Sequence, residues 1–165
     1  MTIRYARSEE AEILWALRNR ALRHGCKDVY ADNILQAWTP EEMPVSYRQL
    51  IEENPFYVID DEYGIPVASG FLCLSEQSVE AVFSLPEHSG KGLASQIIEA
   101  IKQQALSRGM TTLRLSSTPN ARSFYEKHGF KLIREDKYYS RLAASSLACF
   151  EMVCDLSKSN THVHA

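Results

Sequence analysis

The sequence predicts an α/β (α+β) fold, a mixed and mostly antiparallel central sheet flanked by helices. Three observations carry that expectation. Strand-like runs stand at both ends of the chain with helical segments between them. Three short β-rich runs, PFYVID, PVASGFLCL and SVEAVFSLP, follow one another across the turn signals DEYG and SEQ, as in an antiparallel meander. A 3.6-residue period then returns from Lys91 to Arg108. The 165 residues, 45% of them hydrophobic, suffice for one domain with a sizeable core, expected over residues 1–156 with a frayed tail at 157–165.

Taken in order, Thr2 to Ala6 alternates like a half-buried strand, and Ser8 offers an N-cap with Glu9 and Glu10 in the first helical turn. Ile13, Leu14, Leu17 and Leu22 continue that helix, and Gly25 stops it. Two helical pieces are expected between Asp28 and Asn54. The first places Tyr30, Ile34, Leu35 and Trp38 at helical offsets; the second starts at the signal Thr39-Pro40-Glu41-Glu42. After the meander, Leu93, Ile97, Ile98 and Ile101 mark one face of the long helix, and Gly109 is suited to its C′ position. Thr111–Ser116 reads as a strand, Pro119–Lys127 as a short helix, Gly129–Ile133 as a strand and Leu147–Asp155 as the last strand.

A net charge of −3 and a pI near 6.0 argue against a nucleic-acid partner, which needs clustered basic residues. No run approaches the ~18 apolar residues of a membrane span, and the start MTIRYARSEE has no apolar signal core. A cytoplasmic protein, monomeric or homodimeric, is the expectation. Cys26, Cys73, Cys149 and Cys154 form no CxxC pair and are expected as reduced, mostly buried thiols. His162 and His164 in the polar tail fall short of the four ligands of a structural metal site, so no metal is expected.

The run Ser89-Gly90-Lys91-Gly92-Leu93-Ala94 lies between a strand ending near Leu85 and the long helix. Glycines there let the backbone approach a ligand, and the helix start offers unpaired N–H groups and a positive dipole end, together an anion site fit for a diphosphate. A Walker loop is excluded because Leu85 and Gly92 stand where it needs glycine and a hydroxyl, and a dinucleotide fingerprint because Ser95 stands where it needs glycine. Further on, Asn120-Ala121-Arg122-Ser123-Phe124-Tyr125-Glu126-Lys127-His128-Gly129-Phe130 has a short helical period followed by Gly-Phe entering a strand. From the residues alone, Ala121, Phe124 and Tyr125 form its buried face.

These two stretches resemble the GNAT superfamily of N-acetyltransferases. VEAVFSLPEHSGKGLASQIIEAI is similar to its motif A, [R/Q]xxGx[G/A] after a strand ending V-x-P, with Gly92, Ala94 and Pro86 matching and Ser89 in place of Arg or Gln. Residues 120 to 130 resemble its signature NAxxFYEKxGF. The resemblance implies an acetyl-CoA-dependent N-acetyltransferase acting on a small-molecule or peptide amine by direct attack. It implies cofactor contacts from Val82, Phe83, Ser84, Ser89, Gly90, Lys91, Gly92, Leu93, Ala94, Ser95, Asn120 and Tyr125. Glu80 is implied as the base, Tyr125 as the acid, and a backbone N–H near Phe83 and Ser84 as the oxyanion donor.

Alternation along the strand places Glu80, Val82 and Ser84 on one face, with Glu42, Glu52 and Glu53 as fallback bases. Tyr30, Trp38 and Glu42 are candidates for recognising the acceptor. The competing function is a non-catalytic acyl-CoA-binding module that uses the same turn.

Overall fold

The computed structural model describes residues 1–157; His162 and His164 lie outside the described residues. Its strands are β1 (Ile3–Tyr5), β2 (Phe56–Asp60), β3 (Pro66–Cys73), β4 (Ser78–Ser84), β5 (Thr112–Ser117), β6 (Phe130–Ser140) and β7 (Ser145–Asp155). Its helices are α1 (Ala11–Gly25), α2 (Asp32–Trp38), α3 (Val45–Glu53), α4 (Leu93–Ser107) and α5 (Arg122–Lys127). The strands form one sheet in the order β1-β2-β3-β4-β5-β7-β6. Every neighbouring pair is antiparallel except β4–β5. Parallel neighbours need a crossover, and α4 supplies it.

β2 and β3 are buried almost throughout, which explains their near-continuous apolar sequences: both faces are covered. On one face Trp15 of α1 meets Tyr47 of α3 edge-on at 5.0 Å, Tyr47 meets Phe56 at 6.1 Å, and Phe56 stacks on Phe71 at 4.9 Å. On the other, Ile97, Ile98 and Ile101 of α4 are fully buried. That helix ends as expected: Gly109 takes φ +80°, its N–H donates to the Leu106 carbonyl, and the Met110 N–H donates to the Ala105 carbonyl. This is the Schellman arrangement, which satisfies carbonyls the last turn would leave bare.

Four local expectations need correcting. Ser8 does not cap α1; Ser8–Glu10 is a 3-10 turn, and the Arg7 N–H donates to Glu10 Oε1 at 2.9 Å. Glu10 also receives Arg4 at 2.9 and 2.6 Å, while Arg4 reaches Asp60 at 2.8 and 2.9 Å, so one guanidinium ties the helix entry to β2. Thr39 closes α2 and opens nothing: its buried hydroxyl donates to the Leu35 carbonyl and accepts from Arg23 Nε, and α3 starts later, after Pro44. The long helix begins at Leu93, not Lys91, because Gly92 holds a left-handed φ of +74°. Finally, β6 runs to Ser140 and pairs along its length with β7. Its residues between Phe130 and Ser140 are exposed, so no burial period marks Arg134 to Tyr139 in the sequence.

Candidate active site

β4 and β5 share one residue pair, Ser78 opposite Arg114, and then part. Past that point the β5-facing edge of β4 is open. β4 is also bulged: Ser69 opposes Phe83 and Phe71 opposes Glu80, so two β4 residues, Ala81 and Val82, answer to Gly70. Ala81 takes φ +54° to accommodate this. The bulge resets the alternation and corrects the expected facing. Cross-strand partners share a face, so Glu80 and Phe83 look with Phe71 and Ser69 toward the α1–α3 side, whereas Val82 packs with Gly70 toward α4. A Cβ on Gly70 would lie 2.7 Å from Ile97 Cγ2 and 3.0 Å from Val82 Cγ2. The absence of a side chain at position 70 is what lets the bulge and α4 close on each other.

A cleft of about 650 Å³ opens beside this bulge, with Arg18, Trp38, Tyr47, Glu80, Phe83 and Tyr125 among its lining residues. Glu80 and Tyr125, singled out separately in the sequence, share it. Burial raises the Glu80 carboxyl above its ordinary pKa, opposed by the Ser78 hydroxyl, which donates at 3.3 Å, and reinforced by Glu151 and Glu76. Tyr125 projects from α5, is 8% exposed, and leans edge-on against Phe124 and Phe130. Its hydroxyl has no hydrogen-bond partner among the described residues yet is not sealed from solvent, so it opens into the cleft. Burial, and then the Glu80 carboxylate, push the phenol's pKa up, so the group keeps its proton.

The glycine-rich turn lies outside the cleft lining. Gly90 and Gly92 hold φ +80° and +74° with open space where a Cβ would stand. The N–H groups from Gly90 to Ser95 find no acceptor among the described residues, and the first donor engaged is that of Gln96, to the Gly92 carbonyl. This is a row of unengaged amides at the positive end of a 15-residue helix. Its side chains point elsewhere. Leu93 is in the core, Lys91 Nζ sits 3.1 Å from His88 Nδ1, and Ser95 Oγ is bonded to His128 Nε2 at 3.0 Å, with Glu99 at 2.9 Å on the other ring nitrogen. Ser89 is exposed and Ala94 half-buried.

Of the remaining candidates, Tyr30 and Trp38 line the cleft, edge-on to each other at 5.8 Å. The Tyr30 hydroxyl is already committed to the Ala148 carbonyl at 2.6 Å. Asn120 also lines it, accepting from Cys26 Sγ at 3.5 Å. Glu42, Glu52 and Glu53 are exposed and are not among the lining residues, so the fallback bases stand away from the cleft. Three cysteines, Cys26, Cys73 and Cys149, do line it. Burial pushes the Cys26 and Cys149 thiols up to about 11, which keeps them as weakly nucleophilic thiols.

Sequence reasoning missed Arg18, Tyr47 and Tyr138 as cleft residues. For Arg18 a signal existed: it stands four residues from both Leu14 and Leu22, on the buried face of α1.

Residues 52–132 match the family model described as an acetyltransferase (GNAT) domain. The chain is 31% identical over 132 residues to the peptidyl-lysine N-acetyltransferase YjaB of Salmonella typhimurium, covering 80% of this chain and 84% of that protein. Its fold is similar to that of a GCN5-related N-acetyltransferase from Rhodopseudomonas palustris, with TM-score 0.84, 18% identity, and 93% and 94% of the two chains covered. It is also similar to the PaiA N-acetyltransferase of Thermoplasma acidophilum solved with coenzyme A, with TM-score 0.70, 18% identity, and 93% and 98% covered. The chain belongs to the GNAT family of acetyltransferases. It is an acetyl-CoA-dependent N-acetyltransferase.

Among the described residues no helix is long and apolar enough to cross a membrane.

Proposed function

We propose that this enzyme moves the acetyl group onto the amine of a small molecule or peptide by direct attack, with Glu80 as base and Tyr125 as acid. The observation that carries this reading is that both groups line one cleft at the point where β4 and β5 part. The relative YjaB is named for peptidyl-lysine, and a lysine side chain is one acceptor of the required kind.

Glu80 removes a proton from the incoming ammonium, whose ordinary pKa near ~10.4 leaves it unable to attack at neutral pH. The freed lone pair adds to the thioester carbon, and the carbonyl oxygen becomes negative. The Leu85 N–H donates to the Val67 carbonyl of β3, so by alternation the Phe83 N–H also faces β3 and the Ser84 N–H faces the open edge, where it would receive that charge. The C–S bond then breaks and Tyr125, holding its proton, donates to the leaving sulfur; the nitrogen, left with two protons and a positive charge by the attack, gives one up as the amide forms, which restores the phenol.

The row of free amides from Gly90 to Ser95 would hold the cofactor diphosphate, with the helix dipole behind it. Acetyl-CoA supplies the acyl group and its thioester activation, and no covalent acyl-enzyme is required.

The test is thiol release from acetyl-CoA in the presence of lysine-containing peptides and small amines, in wild type and Tyr125→Phe. The variant is expected to lose about a hundredfold in kcat while its KM for acetyl-CoA changes little. An unchanged kcat removes Tyr125 from the acid role.

A further inference from the structure

Arg18 is a guanidinium without a carboxylate. Its two hydrogen bonds, to Asn19 Oδ1 at 2.7 Å and to the Trp38 carbonyl at 3.1 Å, both leave from Nη1. Nε and Nη2 have no partner among the described residues, and neither is sealed from the cleft that Arg18 lines. Burial without an acid pulls its pKa down to about 10. A charge so placed is costly unless something opposes it.

What opposes it here is aromatic. The guanidinium carbon lies 4.2 Å from the Trp15 ring centroid and 5.6 Å from that of Trp38. These contacts fix the plane of the fork and neutralise nothing. Tyr47 and Tyr138 are close enough to act on its charge, both line the cleft, and neither hydroxyl has a partner among the described residues. The cleft therefore holds at one place an open fork with two phenol donors, and at another the Glu80 carboxylate. A fork of parallel N–H donors matches a carboxylate's two oxygens.

We infer that the acceptor carries an anionic group, a carboxylate, which Arg18 receives with Tyr47 and Tyr138 while the reacting amine faces Glu80. The cleft is in this sense complementary to an amine and an acid on one molecule. The carboxylate has two possible sources, the acceptor's own terminal group or an acidic side chain beside a lysine in a peptide. This inference rests on the acetyl-transfer reading above for which cleft receives the amine; the charge complementarity at Arg18 stands on its own contacts.

The experiment compares matched acceptors. One pair is lysine and lysinamide; the other is the blocked dipeptide lysyl-glutamate and its lysyl-glutamine counterpart. Wild type is expected to favour the acid member of one pair by about ten- to a hundredfold in kcat/KM, the range of a hydrogen-bonded charge contact. Which pair discriminates identifies the source of the carboxylate. In Arg18→Gln that ratio is expected to fall to about one, and in Arg18→Lys, which keeps the charge and loses the fork, to an intermediate value. Because each variant is read as a ratio, a general loss of folded enzyme cancels.

Equal use of both members of both pairs by wild type, or a ratio that survives Arg18→Gln, overturns the inference. Absence of thiol release with every amine would count against the acetyl-transfer reading instead. In that case the same ratios are taken from calorimetric binding of the four acceptors to the CoA-loaded protein, with the same two overturning outcomes.

Discussion

The turn before α4 and the cleft beside β4 differ in what they are made of. The turn is backbone: six consecutive N–H groups and two glycines at positive φ, with Leu93 in the core, Lys91 on His88 and Ser95 on His128. The cleft is side chains, drawn from α1, α2, α3, β4 and α5 and from the β6–β7 hairpin. A backbone device is written in adjacent residues and can be copied between proteins as a motif. A side-chain device is assembled from distant residues and can diverge one position at a time. The lesson is that, on the proposed reading, the cofactor half is a local backbone device and the acceptor half a dispersed side-chain one.

That contrast makes predictions in which the two halves respond separately. The largest effect belongs to Gly70→Ala, which forces a methyl against Ile97 and Val82. It should cost about 1–3 kcal/mol in denaturant unfolding, as overpacking does, and lower kcat by disturbing the bulge at Ala81. Loss of stability with kcat intact would show that the bulge does not set the oxyanion donors.

Glu80→Gln is next, with opposite signs for stability and rate. The folded protein holds this carboxyl above its ordinary pKa, so wild type has its full share of stability below the unfolded carboxylate range and loses some as pH rises through the folded pKa. Gln has no such loss. The variant should be about 0.5–2 kcal/mol more stable at neutral pH, in line with relieving a functional-site cost, with the difference fading in acid. Its pH–rate profile should lose the rising limb that wild type owes to Glu80 ionisation. A variant less stable at pH 7, or an unaltered profile, would mean that the cleft does not hold Glu80 as a strained base.

The smallest effect is expected from Gly92→Ala. Nothing stands where the new Cβ would go, so only the left-handed φ resists, at roughly 1 kcal/mol. The KM for acetyl-CoA should rise and that for the amine should not. A shift confined to the amine would break the division between the halves.

Legibility followed the same division. The glycine turn, the Schellman end of α4 and the Tyr125 helix were all readable, because each is a local run with a local physical reason. The bulge was not. It falls at Ala81-Val82, without the glycine or proline that would announce it, and is permitted from the neighbouring strand by Gly70. The start of α3 was misplaced because Thr39-Pro40 is as good an ending as a beginning, and only Arg23, sixteen residues away, decides which. Arg18 went unread because a charge on a helix is ordinarily solvated; its burial depends on Trp15 and Trp38 folding over it.

The hairpin of β6 and β7 carries one more consequence. β6 is the last strand of the sheet, and its outer edge offers unpaired backbone groups to any passing chain. Lys131, Arg134, Glu135, Asp136 and Lys137 lie along it, all exposed. A second strand docking there would have to bring its own backbone past that mixed row of charges. The same residues that hid β6 from a periodicity reading thus act as guards, letting a long, bare edge exist in a concentrated solution without recruiting its neighbours into a growing sheet.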